Sequence, residues 1–268
     1  MSRLGTEHAI NRKAAKRPAE YLEGLARGLS VISAFSKDSP KMTLAAAGKT
    51  LGLPRATVRR ALITLEILGY VETDGRLFWL TPKVLELAGA YLLSNMLSTV
   101  FQPLCDKLAS ELDTGISVAV LHQDEIVFIV RSYPNHLFSG DRGIVGSRLP
   151  AFSTALGRVL LTGLSDSELS DYMKRLVPKD MTTFTKTKKK DIREEIELAR
   201  KRGYAFANQE ANIGFRSVAV SLRRFDGKTV AALSASGRVE LISEKVMRST
   251  MLPRLLEERD KIKLPSSG

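Results

Sequence analysis

Arg55, Thr57, Arg59 and Arg60 stand close enough together to bind a polyanion or to read the edges of bases. A guanidinium pairs with guanine through two parallel hydrogen bonds or grips phosphate, and a hydroxyl bonds to either. A helix carries such groups into a DNA major groove when it follows a first helix through a tight turn. Residues 42–70, MTLAAAGKTLGLPRATVRRALITLEILGY, have that form. Thr43 can cap a first helix that runs to about Leu51, and Gly52 supplies the backbone freedom for the turn. Pro54 suits the first position of the second helix, where a missing N–H costs little. Val58, Leu62, Leu65 and Leu68 recur at helical spacing and make its inward stripe. The expected DNA-contacting positions on this helix are Arg55, Ala56, Thr57, Arg59 and Arg60. A solvated basic face is the competing reading, and the elements on either side argue against it.

Those elements are a helix before and a hairpin after. Residues 70–73 and 76–80 flank Asp74-Gly75 and read as two strands joined by a tight turn. A hairpin directly after a recognition helix is a wing, and Arg76 at its tip is a candidate phosphate or minor-groove contact. Leu22, Leu25, Leu29, Ile32 and Phe35 place a helix upstream. Its Arg27 could add a phosphate contact or serve in a salt bridge. Residues 1–17 read as a disordered basic tail, whose Arg12, Lys13, Lys16 and Arg17 could strengthen nonspecific binding.

Composition agrees with this class. The chain has 268 residues, 44% apolar and 26% charged, room for two soluble domains. Half of the net charge of +12 falls in the first 80 residues, where a polyanion would dock. No apolar run reaches the roughly 18 residues that cross a membrane, and the polar N-terminus lacks a secretory core. The single cysteine, Cys105, cannot form an internal disulfide and reads as a buried small side chain. A reducing, cytoplasmic location is expected. The three histidines have no metal-ligand spacing, and there is no nucleophile elbow, Walker loop or dinucleotide fingerprint. Neither a catalytic centre nor a metal or cofactor site is expected. The basic run 186–190 reads as a solvated surface.

A linker helix is expected over residues 81–98, and beyond it helices and strands intermix. Helices are expected at 101–112, 153–164, 166–175, 188–202 and 243–262. Strands are expected at 116–121, 126–132, 204–209, 216–222 and 229–236, with a loop or edge segment at 140–150. Strands joined largely by hairpins point to an α+β domain with a mainly antiparallel sheet. Ser234 and Ser236 are two apart and share a face; Ser217 and Ala219 do so on the neighbouring strand. Ser153-Thr154-Ala155-Leu156-Gly157 opens a helix with small residues, and exposed N–H groups at such a start attract a carboxylate. Small and hydroxyl side chains leave room for a ligand, or pack tightly beneath a helix.

The sequence resembles the IclR-type transcriptional regulators from about Tyr21 onward. LARGLSVISAF (25–35), LPRATVRRALITLEILGYVETDGR (53–76) and LTPKVLELAGAYL (80–92) are similar to its winged-helix half. SRLPAFSTALGRVLL (147–161), RGYAFANQEANIGFRSVAV (202–220) and ALSASG (232–237) are similar to its effector half. The PRATVRR and TDGR wording is most similar to the branch controlling protocatechuate and β-ketoadipate pathways. The expected division of the chain is a tail at 1–17, a winged helix-turn-helix at 18–80, the linker helix at 81–98 and an α/β effector domain at 99–264, which the resemblance implies is GAF-like. The resemblance implies an effector, an aromatic or keto acid, held by Ala155, Leu156, Ala207 or Asn208, Ser217, Ser234 and Ser236; Thr154, at the same helix start, is expected to join them. The resemblance implies homodimers, or tetramers built as dimers of dimers, on a palindromic or repeated double-stranded operator. A C-terminal domain that only dimerises is the alternative. Ser221 departs from the family, where many relatives carry proline after the Ala-Val pair.

Overall fold

The computed structural model describes residues 18–94, 96–134, 144–262 and 264. The expected tail, residues 1–17, lies outside them, as does part of the expected loop at 140–150. The chain divides into two units, Met1–Tyr91 and Leu92–Gly268.

The first unit packs α1 (Glu23–Ala34), α2 (Leu44–Leu51) and α3 (Arg55–Ile67) around a small core that includes Val31, Ala47, Leu51, Val58 and Leu62. Thr43 caps α2, its hydroxyl accepting from the Ala46 N–H at 3.2 Å. Gly52 closes α2 in the left-handed region, φ 63° and ψ 26°. Pro54 stands one position earlier than expected. Its ψ of 140° keeps it outside the helix as N-cap, and its carbonyl accepts from the Thr57 and Val58 N–H groups. Strands β1 (Val71–Thr73) and β2 (Phe78–Leu80) form the wing. Thr73 pairs with Phe78, so Asp74, Gly75, Arg76 and Leu77 make a four-residue loop where a two-residue turn was expected. The reason is local: the Asp74 carboxylate accepts from the Arg76 and Leu77 N–H groups at 2.9 and 2.7 Å and holds the wider loop. Met42 exchanges both backbone hydrogen bonds with Phe78, which ties the wing to the start of α2.

The expected linker segment contains a 3-10 turn, Pro82–Val84, and α4 (Leu85–Ser94). The following helix, α5 (Met96–Leu112), starts earlier than expected and carries Pro103 inside it. Among the described residues, no single helix is long and apolar enough to cross a membrane.

The second unit is built on strands β3 (Gly115–His122), β4 (Glu125–Ser132), β5 (Arg148–Pro150), β6 (Tyr204–Asn208), β7 (Phe215–Arg223) and β8 (Thr229–Arg238). They form one antiparallel sheet in the order β5-β4-β3-β8-β7-β6. The fold is therefore a helix-turn-helix unit followed by an α/β unit with an antiparallel sheet, as expected. Both faces of that sheet are covered. Helices α6 (Ala155–Leu161), α7 (Asp166–Arg175) and α8 (Lys189–Arg202) build one core layer, with Phe128, Leu156, Tyr172 and Ile192 inside it. Helix α5 and a C-terminal helical run build the other, with Phe101, Leu108, Val220 and Leu255. That run is α9 (Glu244–Val246), a π-turn (Met247–Met251) and α10 (Leu252–Lys261) rather than one regular helix. The wide turn lies just before Pro253, which has no N–H for a regular hydrogen bond. Ser221 lets β7 continue through a pair with Ala232 to Arg223, where a proline would withhold a donor.

Helix α6 opens later than expected. Residues Ala151–Ser153 form a 3-10 turn, and Thr154 caps the helix. Gly157 makes this crossing possible, because a Cβ there would stand 2.1 Å from the Ala151 carbonyl oxygen.

Candidate nucleic-acid interface and ligand face

Helix α3 presents Arg55, Ala56, Arg59 and Arg60 as exposed residues and Thr57 as half-buried. Among the described residues, none of Arg55, Arg59, Arg60 and Arg76 joins an ion pair. Their guanidinium groups are available to phosphate or base edges. Arg55 and Arg59, four apart, project from one face. Thr57 and Arg60 turn toward α1, where they line an open groove of about 670 Å³ with Leu25, Arg27 and Leu29. The expected set thus divides into two faces of one helix. Arg27 differs again: its Nε lies 3.1 Å from the Glu23 carboxylate, the salt-bridge alternative. Arg76 is exposed at the wing tip, on the loop that Asp74 holds. The Leu77 and then the Arg76 backbone N–H groups keep the Asp74 carboxyl below the usual carboxylate range. Lys41 was not singled out in the sequence. It sits beside the wing with its Nζ 4.0 Å from the Trp79 ring centre.

On the second unit, strand register gathers hydroxyls that lie far apart along the chain. Arg131, Ser117, Ser234, Ala219 and Ala205 lie opposite one another in one row across β4, β3, β8, β7 and β6. The next row holds Gly115, Ser236, Ser217 and Ala207. Both rows face the side covered by α6, since Ala119, Ala205, Ala207 and Ala219 belong to that core layer. Ser234, Ser236 and Ser217 share this face, and Ser117 joins them. Among the described residues, the Ser117, Ser217 and Ser234 hydroxyls have no hydrogen-bond partner, whereas Ser236 Oγ donates to the Gly115 carbonyl at 3.4 Å. Ala155 and Leu156 are buried at the start of α6 over this face.

Asn208 does not join them. Alternation along β6 puts Ala207 on the serine face and Asn208 on the other. Asn208 lines a cavity of about 240 Å³ at the β6 edge, and among the described residues its buried Oδ1 has no partner. Thr154 acts locally as the α6 cap, its hydroxyl accepting from the Gly157 N–H at 2.9 Å. Thr154→Val should therefore lower stability by roughly 0.5–2 kcal/mol. Chemical denaturation checks it, and unchanged stability would return Thr154 to the ligand site alone.

Behind α6 lies a charged cluster that sequence reasoning did not find. Arg158 is 0% exposed and forms a two-bond fork with Glu210, 5% exposed, at 2.8 and 2.6 Å. It also donates to the carbonyls of Phe152 at 3.1 Å and Phe206 at 3.2 Å. The cluster clamps α6 and its 3-10 turn to the end of β6. The basic run 186–190 is partly absorbed here, contrary to the solvated reading. Lys186 Nζ lies 2.8 Å from Glu195 and 3.7 Å from Glu210, and Lys189 Nζ donates to the Met173 and Lys174 carbonyls at the end of α7. Cys105 is buried, and burial pushes its thiol up to about 12, which leaves it no thiolate chemistry near neutrality. Among the described residues, no group of three or more His, Cys, Asp or Glu side chains could hold a metal ion.

Comparison with known proteins follows the same division. Residues 24–75 match the IclR helix-turn-helix domain, and residues 89–263 match the bacterial transcriptional regulator IclR C-terminal domain. The chain is 37% identical over 238 residues to the Pca regulon regulatory protein of Pseudomonas putida, covering 88% of this chain and 81% of that protein. A putative transcriptional regulator of Rhodococcus has a similar structure: TM-score 0.77, 37% identity, 90% of this chain and 96% of that one. The PobR inducer-binding domain from Acinetobacter, a double mutant solved with 3-hydroxybenzoic acid, is 25% identical with a TM-score of 0.59. That match covers 63% of this chain and 98% of that one.

Proposed function

This chain belongs to the IclR family of bacterial transcriptional regulators, and we propose that it senses a small aromatic acid on the serine-bearing face of its second unit. It is a DNA-binding regulator of transcription, in the protocatechuate branch of the family. The observation that carries the effector reading is the set of partnerless hydroxyls on Ser117, Ser217 and Ser234. Ser117 and Ser234 are buried and Ser217 is half-buried; polar groups so placed ordinarily find partners, so hydroxyls left open on one face suit an external one. The likeness to an inducer-binding domain solved with 3-hydroxybenzoic acid supports the chemical class.

Binding to DNA runs through Arg55, Ala56 and Arg59 on the open face of α3, with Thr57, Arg60, Arg27 and the wing residue Arg76 beside the backbone. Two copies, in a homodimer or a dimer of dimers, would set two recognition helices in successive major grooves. The spacing is one helical turn, roughly 34–36 Å, on a palindromic or repeated operator in the bacterial cytoplasm. Effector binding changes DNA affinity only if it favours one arrangement of the assembly. The linker over residues 81–98 is the segment through which that preference would pass.

Ser234→Leu tests the effector site. It fills the face with a larger apolar side chain and removes a hydroxyl. Effector affinity should fall at least roughly tenfold, a loss of about 1.4 kcal/mol. Operator affinity of the free protein should stay unchanged. Calorimetric titration of protocatechuate and hydroxybenzoates, beside a gel shift at fixed salt, separates the two. An unaltered titration would remove Ser234 from the site. A wild-type chain that no acid of the panel stabilises would favour a domain that only assembles.

A further inference from the structure

We infer that Arg131 anchors the carboxylate of the effector and that Phe128, Ser117 and Ser234 complete a site for a ring-hydroxylated aromatic acid. The inference rests on the effector reading above and deepens it. Its first support is a break in strand parity. Phe128 and Arg131 are three apart on β4, so regular alternation would put them on opposite faces. The β3–β4 register shifts at this point: Ala119 faces Phe128, and Val118 faces Val130. The extra residue is Ile129, and the bulge turns Arg131 onto the face that already holds Phe128 and Ser117.

The second support is the state of the guanidinium. Arg131 is half-buried, yet no carboxylate among the described residues pairs with it. Its carbon lies 4.0 Å from the Phe128 ring centre and 5.6 Å from that of Tyr133. Its Nε and Nη2 donate to the Tyr133 hydroxyl at 3.0 and 2.5 Å. Tyr133 reaches this position over Gly115, where a Cβ would come within 2.9 Å of the ring. The guanidinium is thus held on one side by a phenol and stacked on a benzene ring. Its remaining N–H donors are left for a planar anion.

The third support is spacing. Ser117 and Ser234, each 1% exposed, follow Arg131 on the next two strands of the same row, their hydroxyls unpartnered. Two strand spacings are on the order of 10 Å. An aromatic ring with a carboxylate at one end and a hydroxyl toward the other bridges Arg131 and the serines, with Phe128 as a wall. A short aliphatic keto acid meets the arginine and leaves both hydroxyls unbonded. The anion is placed on a side chain, not on the first N–H groups of α6, whose cap is already used by Thr154.

The experiment is calorimetric titration of the full-length chain with 3-hydroxybenzoate, 4-hydroxybenzoate and protocatechuate, the corresponding neutral amides, and pyruvate. Wild type is expected to prefer the best acid over its amide by roughly tenfold or more. In Arg131→Gln the acid should weaken to the level of the amide, with amide affinity unchanged. Arg131→Lys should keep the preference for charge at reduced affinity, which shows that the site is intact even where the glutamine variant melts early. If no aromatic compound binds the wild type, the effector reading falls, and the role of Arg131 with it. If the acid binds the wild type and Arg131→Gln retains the preference for acid over amide, the arginine assignment alone is overturned. Tighter binding of pyruvate than of any hydroxyaromatic acid would overturn the spacing argument.

Discussion

Arg158→Met is expected to lower the free energy of unfolding by about 3–5 kcal/mol, the range for removing one partner of a buried ion pair. The substitution leaves the Glu210 carboxylate in place, 5% exposed, with Lys186 3.7 Å away as its nearest cation. It also frees the Phe152 and Phe206 carbonyls that Arg158 had satisfied. The loss comes from the charge left behind more than from the attraction removed. A double variant, Arg158→Met with Glu210→Leu, should therefore recover most of it, because well-packed apolar replacements of buried pairs are often neutral or better. Urea unfolding followed by far-UV circular dichroism reads both, provided the slopes agree. A single variant within about 1 kcal/mol of wild type would show that Glu210 finds another partner and that the cluster does not clamp α6.

Arg59→Ala is expected to weaken operator binding by about 1–3 kcal/mol, roughly 5- to 150-fold at fixed salt. Arg59 is exposed on the open face of α3 and, among the described residues, has no ion pair to break on docking. Arg27→Ala should cost less, since that guanidinium already faces Glu23. The two roles separate by sequence dependence. Loss of a base contact relaxes discrimination between operator and scrambled duplex, whereas loss of a phosphate contact weakens both alike and lowers the salt slope by about one. Gel shifts on both duplexes over a salt series carry the measurement. Equal affinities for Arg59→Ala and wild type on the operator would end the assignment of this face to DNA.

Much of the fold was legible because its signals are local. A capping threonine, a left-handed glycine and a proline after the turn mark where two successive helices begin and end. Period-two alternation likewise places Ser234 with Ser236, and Ser217 with Ala219, without knowledge of the partner strand. The exact wing loop was not legible, because it depends on a carboxylate folding back on two N–H groups.

The rest depended on contacts between distant segments. Arg158 and Glu210 are 52 residues apart, and nothing near either one announces the pairing. In the sequence, Arg158 is a charge in an apolar helix, and only the packed sheet supplies its counter-ion. Asn208 and Ala207 were interchangeable until the β6–β7 register chose between them. Arg131 was hidden by the alternation rule itself, which assigns it to the face away from Phe128. One extra residue in β4 reverses that assignment, and a bulge is a property of two strands pairing rather than of either strand alone. Amino-acid order thus determined the DNA-reading unit and the class of the protein, since those rest on short-range geometry. Tertiary structure decided which polar groups meet on the ligand face, since register and burial exist only once the sheet is closed.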